Sequence, residues 1–107
     1  MNPNTIDIME MRESAEEASD ILKIMAHPVR LMILCQLTQG EIGVGELQNN
    51  SLLSQSAFSQ HLTVLRKNNL IKARKVSQQV FYSLADSRIE ALILSLIHIS
   101  EPTRRST

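Results

Sequence analysis

The sequence predicts a mainly α-helical domain of about five helices that carries one small β-hairpin. Its 107 residues include no Trp, two Phe and one Tyr, so the core must come mainly from aliphatic side chains, which is typical of packed helices. Two β-favouring runs lie next to each other only between residues 71 and 84. A chain of this length fits one domain with a single core.

The first half of the chain predicts three helices. Residues 14–25 have acidic side chains in the first turns and apolar side chains at helical spacing, which indicates an amphipathic helix. Pro28 favours the first position of a second helix over residues 28–38, because that position needs no backbone N–H. This second helix is apolar nearly all round, as expected for a central helix. A third, short helix is predicted over residues 44–50.

The fourth predicted helix, over residues 55–68, has two different faces. Ser54 is a favourable N-cap, and Asn69 tolerates the left-handed conformation that ends a helix. Successive residues are about 100° apart around the axis, so one face is apolar and carries Phe58, Leu62 and Leu65. The opposite face carries hydrogen-bonding side chains without acids, namely Ser56, Ser59, Gln60, Thr63 and Lys67.

The last third of the chain predicts a hairpin and a fifth helix. The β-favouring runs 71–76 and 79–84 are separated by Ser77 and Gln78, which predicts an antiparallel hairpin with basic residues near its tip. Asp86 or Ser87 then opens the last helix. Its apolar stripe is expected to be available for a partner and consists of Ile89, Leu92, Ile93 and Leu96.

Charge is segregated along the chain although the formal net charge is zero. Residues 1–46 are rich in Asp and Glu, whereas residues 47–85 contain neither and hold five basic side chains: Arg66, Lys67, Lys72, Arg74 and Lys75. A polyanion could approach this middle section without meeting a repelling carboxylate. A solvated basic face without a ligand is the alternative interpretation.

Several functional classes are disfavoured by the sequence. No stretch reaches the roughly 18 apolar residues of a membrane span and no leader is evident, so we expect a cytoplasmic protein without a membrane partner. The single Cys35 excludes an internal disulfide, and we expect neither a metal site nor a cofactor. His27 could act as a base for Cys35, but without an orienting group or oxyanion donor the sequence does not predict an enzyme.

Two short helices, a tight turn and a basic hairpin are the parts of a winged helix-turn-helix, in which the hairpin is the wing. The major groove of B-DNA is about 12 Å wide and admits one helix, while a wing reaches a neighbouring groove or the phosphates. We expect polar side chains of the fourth helix to approach base edges and basic side chains to hold phosphates. The predicted DNA contacts are Gln55, Ser56, Ser59, Gln60, His61, Thr63, Arg66, Lys67, Arg74, Lys75, Gln78 and Gln79.

The sequence resembles the ArsR/SmtB repressors over about residues 18–93. The matching stretches are LKIMAHPVRLMILCQL (22–37), EIGVGEL (41–47), LSQSAFSQHLTVLRKNNLI (53–71) and RKVSQQVFYSL (74–84). The resemblance implies a homodimer formed through the first and last helices. It also implies binding to an inverted repeat in double-stranded operator DNA, and repression that an inducer relieves.

The resemblance also bears on the signal that is sensed. The arsenic and cadmium sensors place Cys where this chain has Gly43 and Gly45, and Arg88 and Pro102 interrupt the zinc-binding pattern of the last helix. Cys35 and the GVGEL segment look like the HlyU, BigR and SqrR branch, in which this cysteine pairs with another near the C-terminus to sense reactive sulfur or oxidants. A redox-sensing Cys35 is therefore implied, and a small buried hydrophobe is the alternative.

We predict three segments and leave one functional alternative open. Residues 1–13 form a disordered or frayed N-terminus, residues 14–93 form the DNA-binding domain, and residues 94–107 form a tail. The ending LSLIHISEPTR (94–104) resembles the in-frame translation of a transposon adapter used in sequencing libraries, so we expect a non-native tail, with a native one as the alternative. The alternative function is a winged-helix protein–protein interaction module without DNA binding, and a thiol enzyme is a distant third.

Overall fold

The computed structural model describes residues 7–100 of the chain. Within them, the chain has five helices and a three-stranded antiparallel sheet of order β1-β3-β2, which confirms the predicted fold class. The elements in chain order are α1 (Ile8–Met25), α2 (Pro28–Leu37), β1 (Ile42–Gly43), α3 (Val44–Asn49), α4 (Gln55–Lys67), β2 (Ile71–Val76), β3 (Gln79–Leu84) and α5 (Ser87–Ser100). The predicted N-terminal segment and tail are described only from residue 7 and up to residue 100.

Helix α1 begins at Ile8 rather than at Ser14, where the sequence predicted its start, so residues 8–13 belong to the helix. These residues include Met, Glu and Arg and no Gly or Pro, so their intrinsic propensity lets the helix extend towards the N-terminus. The backbone N–H of Met11 donates to the Asp7 carbonyl at 2.9 Å and closes the first turn. The sequence prediction began at the acidic cluster and therefore began too late.

Helix α2 is the central helix that the sequence predicted. Pro28 occupies its first turn, and the side chain of His27 caps it by accepting a hydrogen bond from the Val29 backbone N–H at 3.2 Å. Its residues Ile33, Leu34 and Leu37 are buried. The helix packs against α1, α4, α5 and β3, which explains why it is apolar nearly all round.

Helices α3 and α4 form the helix-turn-helix, and both ends of α4 agree with the sequence prediction. The Ser54 side chain caps α4 by accepting from the Ala57 backbone N–H at 3.3 Å. Asn69 follows the helix with a φ of 60°, the left-handed conformation that ends it. The predicted apolar face is buried and holds Phe58, Leu62 and Leu65.

The sheet of the wing has one strand more than the sequence predicted. Strands β2 and β3 pair antiparallel across the Ser77–Gln78 turn, with Ser77 at a φ of 57°. Strand β1 adds a third strand, in which Ile42 pairs with Tyr82 and Gly43 pairs with Phe81. A two-residue strand is too short to show a period-2 pattern, so β1 could not be predicted from the sequence.

Helices α1 and α5 leave much apolar surface uncovered. Exposed apolar residues of α1 include Ile8, Met9, Met11, Ile21 and Leu22, and those of α5 include Leu92, Leu94 and Ile99. The predicted stripe of α5 is divided, because Ile93 is fully buried while Ile89 and Leu96 pack against the core. None of the helices described is both long and apolar enough to cross a membrane.

Candidate nucleic-acid interface

The outward face of α4 presents polar side chains, most of them exposed to solvent. Those of Gln55, Ser56, Ser59 and Gln60 are exposed, and so are Arg66 and Lys67 in the last turn. Thr63 is half-buried, and its hydroxyl donates to the Ser59 carbonyl oxygen at 3.0 Å. The exposed face therefore offers hydroxyl and amide groups along the helix and two cations at its end.

His61 faces α2, although the sequence placed it among the DNA contacts. Its Nδ1 accepts a hydrogen bond from Arg30 Nε at 3.3 Å, and its ring centroid lies 4.4 Å from that of His27. Arg30 Nη1 also donates to the Ile24 carbonyl oxygen at 3.2 Å. Burial lowers the pKa of His61, and the nearby His27 and Arg30 lower it further. We call His27, Arg30 and His61 the histidine cluster; it joins the start of α2 to α4.

The wing presents its cations on two faces. Lys75 is directly opposite Val80, whereas Arg74 is directly opposite Phe81. Neighbouring residues of a strand point to opposite faces, so the side chains of Arg74 and Lys75 leave the hairpin on opposite faces. Lys75 is exposed, and so are Gln78 and Gln79 at the turn. Lys72, which was not among the predicted contacts, is also exposed and lies on the same face as Arg74.

Arg74 is held by a carboxylate that the sequence pattern did not associate with it. Its Nε and Nη2 donate to the two carboxylate oxygens of Glu41 at 2.9 and 2.6 Å. Its guanidinium carbon lies 5.5 Å from the centroid of the Phe81 ring. The ion pair lowers the pKa of Glu41 and raises that of Arg74, in both cases mainly through the side-chain hydrogen bond. Residues 47–85 contain no Asp or Glu, but in the folded chain Glu41 brings a carboxylate to the wing.

Cys35 lies in α2 as a free, half-buried thiol that packs against the core. Burial raises the pKa of this thiol, so at neutral pH it carries less thiolate than an exposed cysteine. Across residues 7–100, no three His, Cys, Asp or Glu side chains are grouped so that they could hold a metal ion.

Comparison with known proteins identifies the family. Residues 27–73 match the profile described as "Bacterial regulatory protein, arsR family". The chain is 44% identical to the transcriptional activator HlyU of Vibrio cholerae over 93 residues, which covers 87% of this chain and 85% of the relative. It is 37% identical to a biofilm growth-associated repressor of Xylella fastidiosa over 102 residues, which covers 92% and 90%.

Solved structures agree with these sequence relatives. Reduced HlyU from Vibrio cholerae matches with a TM-score of 0.81 at 43% identity, over 87% of this chain and 98% of that one. The transcriptional repressor BigR from Xylella fastidiosa matches with a TM-score of 0.80 at 35% identity, over 92% and 100%. These relatives are transcription regulators and not enzymes, as the sequence predicted for this chain. The chain is therefore a winged helix-turn-helix transcription regulator and belongs to the ArsR family.

Proposed function

We propose that the protein is a sequence-specific repressor that inserts α4 into the major groove of its operator. The observation that carries this proposal is the exposed, acid-free face of α4, where Ser56, Ser59 and Gln60 are accessible beside a basic wing. Short hydroxyl and amide side chains can hydrogen-bond to base edges, and an amide pairs well with adenine. Of the two relatives described above, one is named an activator and the other a repressor, and we assign repression to this chain.

The proposed contacts divide into two groups by chemistry. The first group consists of polar side chains of α4 that approach bases: Gln55, Ser56, Ser59 and Gln60, with Thr63 beside them. The second group consists of basic side chains and of polar side chains at the turn of the wing, all of which bind phosphates. That second set comprises Arg66, Lys67, Lys75, Gln78 and Gln79. His61 and Arg74 were predicted as contacts too, but each has an intramolecular partner that DNA would have to replace.

Binding to DNA from the region upstream of the protein's own gene tests the proposal. The apparent affinity is measured by fluorescence anisotropy over a range of salt concentrations, with a scrambled duplex of equal length as control. We expect preference for the native duplex and a steep loss of affinity with salt, because cations released from the phosphates drive binding. Undetectable or salt-insensitive binding would favour a protein–protein interaction module.

Two variants separate the proposed roles of the side chains. Gln60→Ala should relax sequence preference by about 1–3 kcal/mol at one base pair while leaving binding to scrambled DNA unchanged. Lys75→Ala should weaken binding to both duplexes alike and reduce the salt slope by about 0.9, because it removes one phosphate contact. Equal effects of the two variants on sequence preference would contradict this division.

We further propose that an inducer acts at Cys35. The thiol lies in α2, which contacts both α4 and α5, so a larger group at this position would disturb the helix-turn-helix and the last helix together. The proposed reaction is attack of the thiolate on the S–S bond of an inorganic polysulfide, which forms a new S–S bond at Cys35 and releases a shorter polysulfide anion. Polysulfide should weaken DNA binding of the wild type and leave Cys35→Ser unaffected; equal weakening of both would contradict this role.

A further inference from the structure

The ion pair between Glu41 and Arg74 joins two parts of the chain that are 33 residues apart. Glu41 immediately precedes β1, and Arg74 lies in the middle of β2. The Arg74 side chain is 60% exposed, whereas the Glu41 side chain is 32% exposed. The guanidinium is therefore reachable from solvent while both carboxylate oxygens are occupied by it.

We propose that Glu41 is an internal competitor of the DNA phosphates for Arg74, and that it thereby limits the contribution of the wing to DNA affinity. This inference rests on the proposed DNA-binding function. Glu41 is then neither a base-reading nor a phosphate-binding residue. It sets how many cations of the wing are available to the DNA backbone.

The geometry of the guanidinium makes this competition direct. Carboxylate and phosphate each present two oxygens that match the two donors of an arginine, so one partner must replace the other. The pair is solvent-accessible, and such pairs contribute little stability, so exchange between the two anions is not costly. The ionised carboxylate also opposes the approach of phosphate, and the pKa of Glu41 is lowered by Arg74.

The surroundings of Glu41 supply a second cation. Lys72 lies on the same face of the hairpin as Arg74 and interacts electrostatically with the Glu41 carboxylate. Lys72 can thus stay close to Glu41 when Arg74 turns to a phosphate. The wing consequently holds two cations around one acid on one face, and Lys75 alone on the other.

Removing the charge of Glu41 tests the proposal. We expect Glu41→Gln to bind operator DNA about fivefold more tightly at about 0.1 M salt, with a salt slope steeper by about 0.9, because Arg74 becomes a phosphate contact. Glu90→Gln is the matched control, since Glu90 borders the same cavity as Glu41 and its substitution removes the same charge, but Glu90 makes no ion pair with Arg74. The control should leave the slope unchanged.

A double variant identifies the cation that is released. Adding Arg74→Ala to Glu41→Gln should abolish the gain in affinity and return the slope to the wild-type value, which a general charge effect would not do. Glu41→Ala, checked for folding by circular dichroism, should change affinity and slope in the same direction as Glu41→Gln.

The possible outcomes separate this inference from the function on which it rests. Suppose that the wild type binds DNA in a salt-dependent way, but that the salt slope of Glu41→Gln is unchanged or shallower. This result would overturn only the competitor role, and the ion pair would then serve to stabilise the wing. Equal gains in Glu41→Gln and Glu90→Gln would also overturn it. Absence of salt-dependent binding by the wild type would overturn the proposed function and this inference together.

Discussion

The histidine cluster shows how a single residue can make the helix-turn-helix depend on pH. His61 Nδ1 accepts the Arg30 hydrogen bond, so a proton on this nitrogen would remove the acceptor and place two cations side by side. Burial already lowers the pKa of His61 in the folded chain, and electrostatic interactions with His27 and Arg30 lower it further. The neutral imidazole is therefore the form that fits between α2 and α4.

The sign of this effect predicts a loss of stability in mild acid. Since the folded pKa lies below the unfolded value of about 6.5, the unfolded chain takes up the proton first as the pH falls. The His61 contribution is thus complete above that value and declines below it. We expect the wild type to lose more unfolding free energy than His61→Gln when the pH falls from 8 to 5, because the variant has no imidazole to protonate. Urea unfolding at several pH values measures this difference, and parallel pH profiles would contradict the prediction.

Other residues show where sequence reasoning succeeds and where it fails. The cap at Ser54 and the left-handed Asn69 were predictable, because each depends on local backbone chemistry. The contact of Glu41 with Arg74 was not, because it depends on how β1 joins the sheet. The contact of His61 with Arg30 was not predictable either, because Arg30 lies on another helix.

At the scale of elements, the capping of α4 gives a testable contribution to stability. Ser54→Ala removes the acceptor for the Ala57 N–H, and we expect it to lower the free energy of unfolding by about 1 kcal/mol. The matched control is Ser59→Ala, in the middle of the same helix, which should change stability by no more than about 0.5 kcal/mol. Both values follow from urea unfolding of the purified variants. Equal losses in the two variants would show that the cap does not stabilise α4.

The elements themselves were predicted with unequal success for physical reasons. The bounds of β2 and β3 agree with the sequence because β-favouring residues flank a two-residue turn. The start of α1 was predicted too late, at Ser14 instead of Ile8, whereas its end at Met25 and the start of α5 at Ser87 agree with the sequence. Helix α5 also continues to Ser100, beyond the predicted boundary of the domain at residue 93.

At the scale of the whole molecule, the uncovered apolar residues of α1 and α5 favour a second copy as partner. An amphipathic helix that leaves its apolar side in water gains stability when it is buried against another surface. The resemblance to the ArsR/SmtB repressors implies dimerisation through these two helices, so a homodimer remains the prediction for this chain. A dimer would present two α4 helices to half-sites about 34–36 Å apart.

Introducing a charge on α1 tests this arrangement. Leu22 is 48% exposed in the single chain, so Leu22→Glu should leave the monomer folded but shift the protein from dimer to monomer, because a carboxylate would be buried between the copies. Leu52→Glu is the control, since Leu52 is fully exposed on the turn before α4 and outside both helices. Sedimentation equilibrium over a range of protein concentrations measures the change. Because two linked half-sites bind more tightly than one, Leu22→Glu should also lose affinity for an inverted repeat more than for a single half-site. If Leu22→Glu stays dimeric, the dimer interface does not include Leu22. If the wild type is monomeric at all concentrations, the predicted dimer is wrong.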